Sequence, residues 1–218
     1  MSVRMITLKS REDWLERRTS YIGGSDAAAC IGKSPYKSNV ELWEEKTGRR
    51  QQADISGKDC VEYGKSAEYY LRELFKLDFP EYKVEYIENN MWLNDTYPWA
   101  HASLDGWLRD DRGRWGILEI KTSEIMRASQ RESWDEQIPD TYYLQILHYL
   151  AVTGFDFVVV KAQLKSRYGN NELRLTTKHY TIERAEVEDD IAYLMDKEAE
   201  FVEYIKADKR PPLILPEI

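Results

Sequence analysis

Residues 100–121 read AHASLDGWLRDDRGRWGILEIK, and this stretch decides the fold class that we expect. Two largely apolar runs, residues 100–108 and 115–121, lie on either side of Asp110-Asp111-Arg112-Gly113, a group of residues typical of turns. We predict that each run forms a β-strand and that the two strands pair through this turn.

Helices and further strands are predicted on both sides of this pair. The helices span residues 10–20 with Ser10 as N-cap, 26–31 capped by Ser25, 61–75, 141–152 closed by Gly154, and 183–206. A further helix, opened by Ser38 or Asn39, runs to Lys46. Additional strands are expected at 82–87, 155–160 and 173–182. This order predicts a single α/β domain with a central mixed β-sheet flanked by helices. We divide it into a helical N-terminal part (1–77), a sheet core (78–182) and a C-terminal helix (183–207).

The composition indicates a folded protein of the cell interior. Of 218 residues, 42% are hydrophobic and 12% aromatic, whereas disordered chains are poor in aromatic residues. The two cysteines form no C-x-x-C pair, so neither a zinc ribbon nor a disulfide framework is expected. We find no signal peptide and no apolar run of about 20 residues that could span a membrane, and we expect a cytoplasmic location.

The net charge of −8 weakens an interpretation as a protein that coats DNA, because such proteins gain affinity from many basic phosphate contacts. Charges are screened beyond about 8–10 Å at physiological salt, however. The 31 Lys and Arg residues could therefore still line one basic channel in an acidic protein.

Asp105, Glu119 and Lys121 are the candidates for chemistry. On a strand, Glu119 and Lys121 point to the same side, and a paired strand could bring Asp105 beside them. Neighbouring carboxylates repel unless a hard cation such as Mg²⁺ bridges them, and a lysine can orient water or offset charge on a phosphate. An ordinary half-exposed hairpin with a salt bridge is the alternative, and Glu-x-Lys alone does not exclude it.

Five motifs in order resemble the lambda-exonuclease and YqaJ-type viral recombinase family, a branch of the PD-(D/E)xK nucleases. They are Arg18 with Ser25, Gly64 with Glu68, Ser103-Leu104-Asp105-Gly106, Leu118-Glu119-Ile120-Lys121, and Gln145 with Tyr149. The proline of PD-(D/E)xK is absent, since Leu104 precedes Asp105. The resemblance implies a restriction-endonuclease-like core.

The resemblance also implies roles for individual residues. Glu68, Asp105, Glu119 and the carbonyl group of Ile120 would bind Mg²⁺, with two ions expected and Mn²⁺ as a substitute. Lys121 would activate or hold the hydrolytic water, and Gln145 would position that water or the phosphate. Arg18 and Ser25 would hold a 5′-phosphate, which a helix N-terminus at Gly23-Gly24-Ser25 would also favour, although simple N-capping by Ser25 is the alternative.

The activity implied is a magnesium-dependent exonuclease that degrades one strand of linear duplex DNA from 5′ to 3′. The 3′ tails would serve a single-strand annealing protein, in a phage or prophage recombination system within a bacterial host. The family also implies a homotrimeric ring. Three alternatives stay open: an endonuclease, a 3′-to-5′ or single-strand nuclease on the same core, and a degenerate DNA-binding protein.

Four further residues have weaker interpretations. His101 would share the face of Asp105 if residues 100–108 form one strand, and it could then serve as an outer metal ligand. His148, three residues after Gln145, is expected to be a satisfied, partly buried histidine. Trp134 lies in a polar segment that could face DNA. Tyr36 lies in a loop that could contact bases, although a plain turn is favoured.

Overall fold

Nine strands form two mixed sheets in residues 2–169 and 172–215, which the computed structural model describes. The strands are β1 (Val3–Thr7), β2 (Ile22–Gly23), β3 (Lys83–Glu85), β4 (Asn90–Asn94), β5 (Tyr97–Ala102), β6 (Gly106–Arg109), β7 (Trp115–Ile125), β8 (Phe157–Tyr168) and β9 (Glu172–Glu183). The helices are α1 (Arg11–Thr19), α2 (Gly24–Cys30), α3 (Asn39–Lys46), α4 (Asp59–Asp78), α5 (Ala128–Glu132), α6 (Asp140–Thr153) and α7 (Glu188–Lys206).

The larger sheet has the order β3-β6-β7-β8-β9, and the smaller has the order β1-β4-β5-β2. Strands β7 and β8 are parallel, as are β2 and β5, and the other neighbours are antiparallel. The predicted pair β6–β7 forms through the turn at Asp110, and the predicted class, a mixed α/β fold with flanking helices, is confirmed. The strands are divided between two sheets, however, and do not form one.

Helices cover both faces of the larger sheet. Helix α6 packs on one face, where Leu147 and Leu150 share a core with Ile117 and Val158. Helix α4 packs on the other face, where Phe75 meets Leu118 and Val159 in a second core. Burial on both sides explains why β7 and β8 have nearly continuous apolar sequences. Among the described helices, none is long and apolar enough to cross a membrane.

The prediction of one strand across residues 100–108 is wrong, because β5 ends at Ala102 and β6 begins at Gly106 in the other sheet. The side chain of Asn90 takes the place of a neighbouring strand at the break. Its Oδ1 accepts from the Leu104 N–H, and its Nδ2 donates to the Leu104 carbonyl group, both at 2.9 Å. His101 and Asp105 therefore lie on opposite sides of the break and do not share a strand face.

Most helix boundaries agree with the prediction, with three differences. Ser10 and Ser38 are N-caps as expected, but α2 starts at Gly24 with Gly23 as its cap, so Ser25 lies in the first turn. The predicted helix from residue 183 starts with a short 3-10 turn, and α7 follows from Glu188. Strands β1, β2 and β4 and the short helix α5 were not predicted. Consequently the N-terminal part contributes strands as well as helices.

Trp134 does not face DNA, contrary to the expectation from its polar surroundings. Its side chain is 1% exposed and packs with Ile125 and Leu164. Its backbone carbonyl group accepts hydrogen bonds from Lys178 and Tyr180 on β9. The side chain and the carbonyl group of Trp134 therefore hold the segment after β7 against the larger sheet.

A buried ion pair joins α6 to α7. His148 and Glu198 are both fully buried, and His148 Nδ1 lies 2.8 Å from Glu198 Oε1. The other ring nitrogen, Nε2, lies 2.9 Å from the carbonyl oxygen of His101. A carboxylate and a carbonyl group are both acceptors, so an imidazole that donates to both carries two protons. Burial alone would lower the pKa of His148, but Glu198 and the His101 carbonyl group raise it above its ordinary value.

The stability of the protein should therefore fall as the pH rises from 6 to 9. A raised pKa in the folded state stabilises the fold below the unfolded value of about 6.5, and this contribution is lost as the pH passes the folded pKa. His148→Asn should cost about 3–5 kcal/mol at pH 6, because it leaves Glu198 buried without its charge partner. The deficit should shrink at pH 9. Urea unfolding at both pH values measures this.

Glu200→Gln is the matched control, since Glu200 is an exposed residue of the same helix whose salt-bridge partner among the described residues is Lys197. It should leave the pH dependence unchanged. An equal deficit for His148→Asn at both pH values would contradict a charged His148.

Candidate active site

A cavity of about 540 Å³ lies where α1, α2 and α4 approach the link between β5 and β6. Its walls include Arg18, Ser25, Glu68 and Asp105. Four of the residues singled out from the sequence thus face one space, although they come from three helices and a loop.

Asp105 lies in the link just before β6, where the break between the sheets turns its side chain toward β7. Its Oδ2 accepts a hydrogen bond of 2.8 Å from the Ile120 N–H, and its backbone carbonyl group accepts one from Arg72. Burial raises the pKa of Asp105 well above its usual range, and the nearby carboxylates of Glu119 and Glu68 raise it further. Asp105 therefore lies in an excess of negative charge.

Glu119 and Lys121 point together from β7, as their two-residue spacing predicts. Lys121 Nζ lies 2.6 Å from Glu119 Oε1, and Glu119 is only 1% exposed. Burial raises the pKa of Glu119, with Lys121 opposing the shift. Burial would lower the pKa of Lys121, but the carboxylates of Glu119 and Asp105 outweigh it and raise the pKa. Lys121 is therefore a cation at neutral pH.

Helix α6 adds Gln145, whose amide group is held at both ends. Its Oε1 accepts from Lys121 Nζ at 2.9 Å, and its Nε2 donates to Tyr149 Oη at 2.8 Å. Residues four apart on a helix are neighbours, which gives the Gln-x-x-x-Tyr spacing a structural reason. A Cβ atom on Gly24 would lie 2.4 Å from the Tyr149 ring, so this glycine allows α2 to approach α6.

Glu68 lies on α4, where its Oε1 is 3.1 Å from the guanidinium group of Arg72. Within residues 2–169 and 172–215, no three His, Cys, Asp or Glu side chains are gathered closely enough to hold a metal ion. Glu68, Asp105 and Glu119 are near neighbours, yet each has its own partner: Arg72, the Ile120 N–H and Lys121. The predicted metal set is therefore present around the site but is not assembled as one cluster.

The donor atoms nevertheless suit a hard divalent cation. Carboxylate and carbonyl oxygens are the ligands that Mg²⁺ and Mn²⁺ prefer. The Oε2 atom of Glu119 is buried and has no hydrogen-bond partner among the described residues, which is costly for a carboxylate oxygen. A cation beside it would satisfy this atom and offset the negative charge on Asp105. Joining Glu68 to the set requires its side chain to leave Arg72.

Arg18 and Ser25 meet directly, as their proposed common role requires. Arg18 donates a hydrogen bond of 3.0 Å to Ser25 Oγ, and its guanidinium carbon lies 4.7 Å from the centre of the Trp14 ring. The start of α2 offers an anion less than the sequence suggested. This helix has only seven residues, and the Gly23 N–H already donates to Asp26.

His101 lines the same cavity but is almost fully buried. Its ring lies against Gly23, where a Cβ atom would be 2.7 Å from Nε2. Neither ring nitrogen has a hydrogen-bond partner among the described residues, and burial lowers the pKa of His101 to about 3. The imidazole is therefore neutral, and its position gives no support to an outer-ligand role.

Sequence reasoning missed several residues that hold the site together. Arg72 bonds both Glu68 and the Asp105 backbone, and its guanidinium carbon is 3.6 Å from the centre of the Tyr86 ring. Its position four residues after Glu68 was the available clue. Trp14 donates through its indole N–H to Ser103 Oγ at 3.0 Å, which ties α1 to the link that carries Asp105. Nothing local in the sequence indicates that long-range contact.

Two comparisons with known proteins point to the same family. A model of the YqaJ-like viral recombinase domain matches residues 13–156, a range that contains all five motifs. The YqaJ protein of Bacillus subtilis (strain 168) is 30% identical over 148 residues, which cover 68% of this chain and 44% of that protein. The chain thus matches less than half the length of this relative.

Two solved structures share the fold. An alkaline exonuclease from Laribacter hongkongensis superimposes with a TM-score of 0.59 at 20% identity, covering 90% of this chain and 97% of its own. A phage-related exonuclease from Haemophilus somnus 129PT gives a TM-score of 0.52 at 13% identity, covering 86% and 96%. At these identities the likeness establishes the fold, while the match of the domain model along residues 13–156 establishes the family. This chain belongs to the YqaJ-like viral recombinase domain family.

Proposed function

We propose that this protein is a metal-dependent exonuclease that acts on the ends of double-stranded DNA. The observation that carries the proposal is the linked arrangement of Asp105, Glu119, Lys121 and Gln145 beside a cavity that also contains Arg18 and Ser25. The known relatives support it, since two solved proteins with this fold are described as exonucleases, and one of them was crystallised with dAMP.

Lys121 and Gln145 have the properties needed to hold a water molecule and a phosphate. Both present polar groups at the half-buried end of the site, and the contacts of Gln145 with Lys121 and Tyr149 fix the orientation of its amide. A protonated Lys121 donates hydrogen bonds, so we assign it to holding the water and stabilising charge on the phosphate. Preorganised donors of this kind favour the transition state because they need little rearrangement.

Glu68, Asp105, Glu119 and the Ile120 carbonyl group would hold the metal, with two Mg²⁺ ions expected and Mn²⁺ able to replace them. When bound, such ions lower the pKa of a water molecule and stabilise a leaving oxygen. The buried, unpartnered Oε2 of Glu119 is the structural support for this assignment. Arg72 would then release Glu68 while continuing to hold the Asp105 backbone.

The finer parts of the proposal concern direction and biological setting. Arg18 and Ser25 would hold a terminal 5′-phosphate, so that degradation proceeds from 5′ to 3′ and leaves 3′ single-stranded tails. These tails would be passed to a single-strand annealing protein in phage or prophage recombination within the bacterial cytoplasm. Assembly as a homotrimeric ring around the duplex belongs to the same proposal.

Digestion of linear duplex DNA labelled at the 5′ or the 3′ end tests the activity. With Mg²⁺ we expect nucleotides to be lost from the 5′ end of the degraded strand, faster from 5′-phosphate than from 5′-hydroxyl ends, because Arg18 supplies a cation for the terminal phosphate. EDTA should stop the reaction. Closed circular DNA is the control and should remain intact.

Three other outcomes have definite meanings. Cutting of the circles would replace the proposal with an endonuclease on the same core. Loss from the 3′ end would reverse the assigned polarity, and loss only from single strands would replace duplex ends as the substrate. Binding without cleavage under Mg²⁺ or Mn²⁺ would indicate a degenerate DNA-binding protein.

Lys121→Ala should reduce the cleavage rate by about 10²–10⁴-fold while largely retaining DNA binding, because it removes the donor nearest to Glu119 and Gln145. Single-turnover cleavage and fluorescence anisotropy of labelled DNA measure the two effects separately. Lys197→Ala on the outer side of α7 is the matched control and should behave as wild type. Full cleavage by Lys121→Ala would refute the site assignment.

Mg²⁺ should raise the melting temperature of the wild type but not that of Asp105→Asn. Removing one charge relieves the crowding of carboxylates, so in EDTA the variant should melt at or above the wild-type temperature. A cation that binds the folded protein stabilises it by mass action. Binding requires the carboxylate charge of Asp105, which Asp105→Asn lacks, so the variant should gain no stability from Mg²⁺. Differential scanning fluorimetry with Mg²⁺ and with EDTA measures both the shift caused by Mg²⁺ and the difference between the two proteins without it. An equal rise in the two proteins would show that the ion binds elsewhere.

A further inference from the structure

Helix α1 presents Arg11, Trp14 and Arg18 to the cavity. Their spacing of three and four residues places them along one side of the helix. The guanidinium carbons of Arg11 and Arg18 lie 4.2 and 4.7 Å from the centre of the Trp14 ring. Trp14 is only 7% exposed, and its indole N–H is held by Ser103 Oγ. The buried ring is thus a fixed support for two positive charges.

These two guanidinium groups line the cavity without forming a salt bridge, in contrast to several other arginines of the described residues. Arginines 4, 49, 50, 72, 114 and 184 each form a salt bridge with a carboxylate. Arg11 and Arg18 form none with any residue in the described ranges, although the chain has a net charge of −8. Burial lowers the pKa of Arg11, and the neighbouring charge of Arg18 lowers it further. The carboxylates of Glu68 and Glu88 lie near enough to oppose this shift, but neither forms a salt bridge with Arg11. Two adjacent cations that are not engaged in salt bridges are suited to an anionic ligand.

We propose that Arg11 is a second arm of the pocket that Arg18 and Ser25 form, and that the pair selects a doubly charged terminal phosphate. This inference rests on the proposed function. A terminal phosphate carries a charge of about −1.5 to −2 at pH 7, whereas a phosphodiester within the strand carries one negative charge. One guanidinium group is enough to balance the single charge of an internal phosphodiester. The second guanidinium group therefore raises the affinity for a terminal phosphate above the affinity for a phosphodiester.

The surroundings favour this placement of the phosphate. Glu68, Asp105 and Glu88 line the same cavity. These carboxylates repel an anion, so within the cavity an anion is drawn to Arg11, Arg18 and Ser25. Guanidinium groups offer paired donors that match phosphate oxygens, so two of them can grip one group from different directions.

Binding of duplex DNA with either a 5′-phosphate or a 5′-hydroxyl end tests the inference. Fluorescence anisotropy with the full chain in EDTA separates binding from cleavage. We expect Arg11→Gln to reduce the preference for the phosphate end by about tenfold and to leave affinity for the hydroxyl end nearly unchanged. Arg11→Lys should keep part of the preference, since it retains the charge but not the paired donors.

Arg17→Gln is the matched control, because Arg17 lies on the same helix but contacts Tyr21. It should keep the wild-type preference. A preference unchanged in Arg11→Gln, or an equal loss of affinity for both ends, would overturn the role of Arg11. A wild type that binds both ends alike would overturn end recognition by the whole pocket. The ratio of the affinities for the two ends does not depend on cleavage. The nuclease activity is therefore tested separately by the cleavage assay.

Discussion

The burial of Glu119 and Lys121 in the middle of β7 is the constraint on which the rest of the site depends. An ion pair out of water is costly unless further polar groups satisfy it, and the neighbouring elements supply these groups. Gln145 on α6 accepts from Lys121, and Tyr149 in turn holds Gln145. The alternation of β7 sends Leu118 and Ile120 into the core against α4 on the other face. One strand thus supplies both the apolar packing and the charged centre.

The break between the two sheets is what brings Asp105 to this centre. Had residues 100–108 continued as one strand, the residues of the link would have been paired within a sheet. Asn90 prevents this by bonding both backbone groups of Leu104, and Trp14 binds Ser103 in the same link. Because the link is not paired within a sheet at Asp105, the side chain of Asp105 can accept a hydrogen bond from the Ile120 N–H. The link residues lose the backbone hydrogen bonds of a β-sheet, and the side-chain hydrogen bonds of Asn90 and Trp14 replace them.

Local patterns predicted the elements that depend on local physics. The turn at Asp110–Gly113, the Ser10 and Ser38 caps and the glycine after α6 were all visible, because each acts within a few residues. The two-residue spacing of Glu119 and Lys121 likewise placed both side chains on one face. The division into two sheets was not visible, since Asn90 acts on a residue 14 positions away. Trp134 was misjudged for the same reason: its polar neighbours in sequence are not its neighbours in space.

The arrangement of the acidic residues also shows why motif matching could not give their geometry. Arg72 is 5% exposed and lies between two of them, bonding the side chain of Glu68 and the backbone of Asp105. A buried guanidinium group has a fixed charge, so it balances Glu68 while that side chain is turned toward it. Glu68 still lies near enough to raise the pKa of Asp105 and of Glu119, and its ion pair with Arg72 offsets part of this repulsion. Because Arg72 also bonds a backbone carbonyl group, it can stay in place when Glu68 turns away. The arrangement of Glu68 and Asp105 therefore depends on a residue outside every recognised motif.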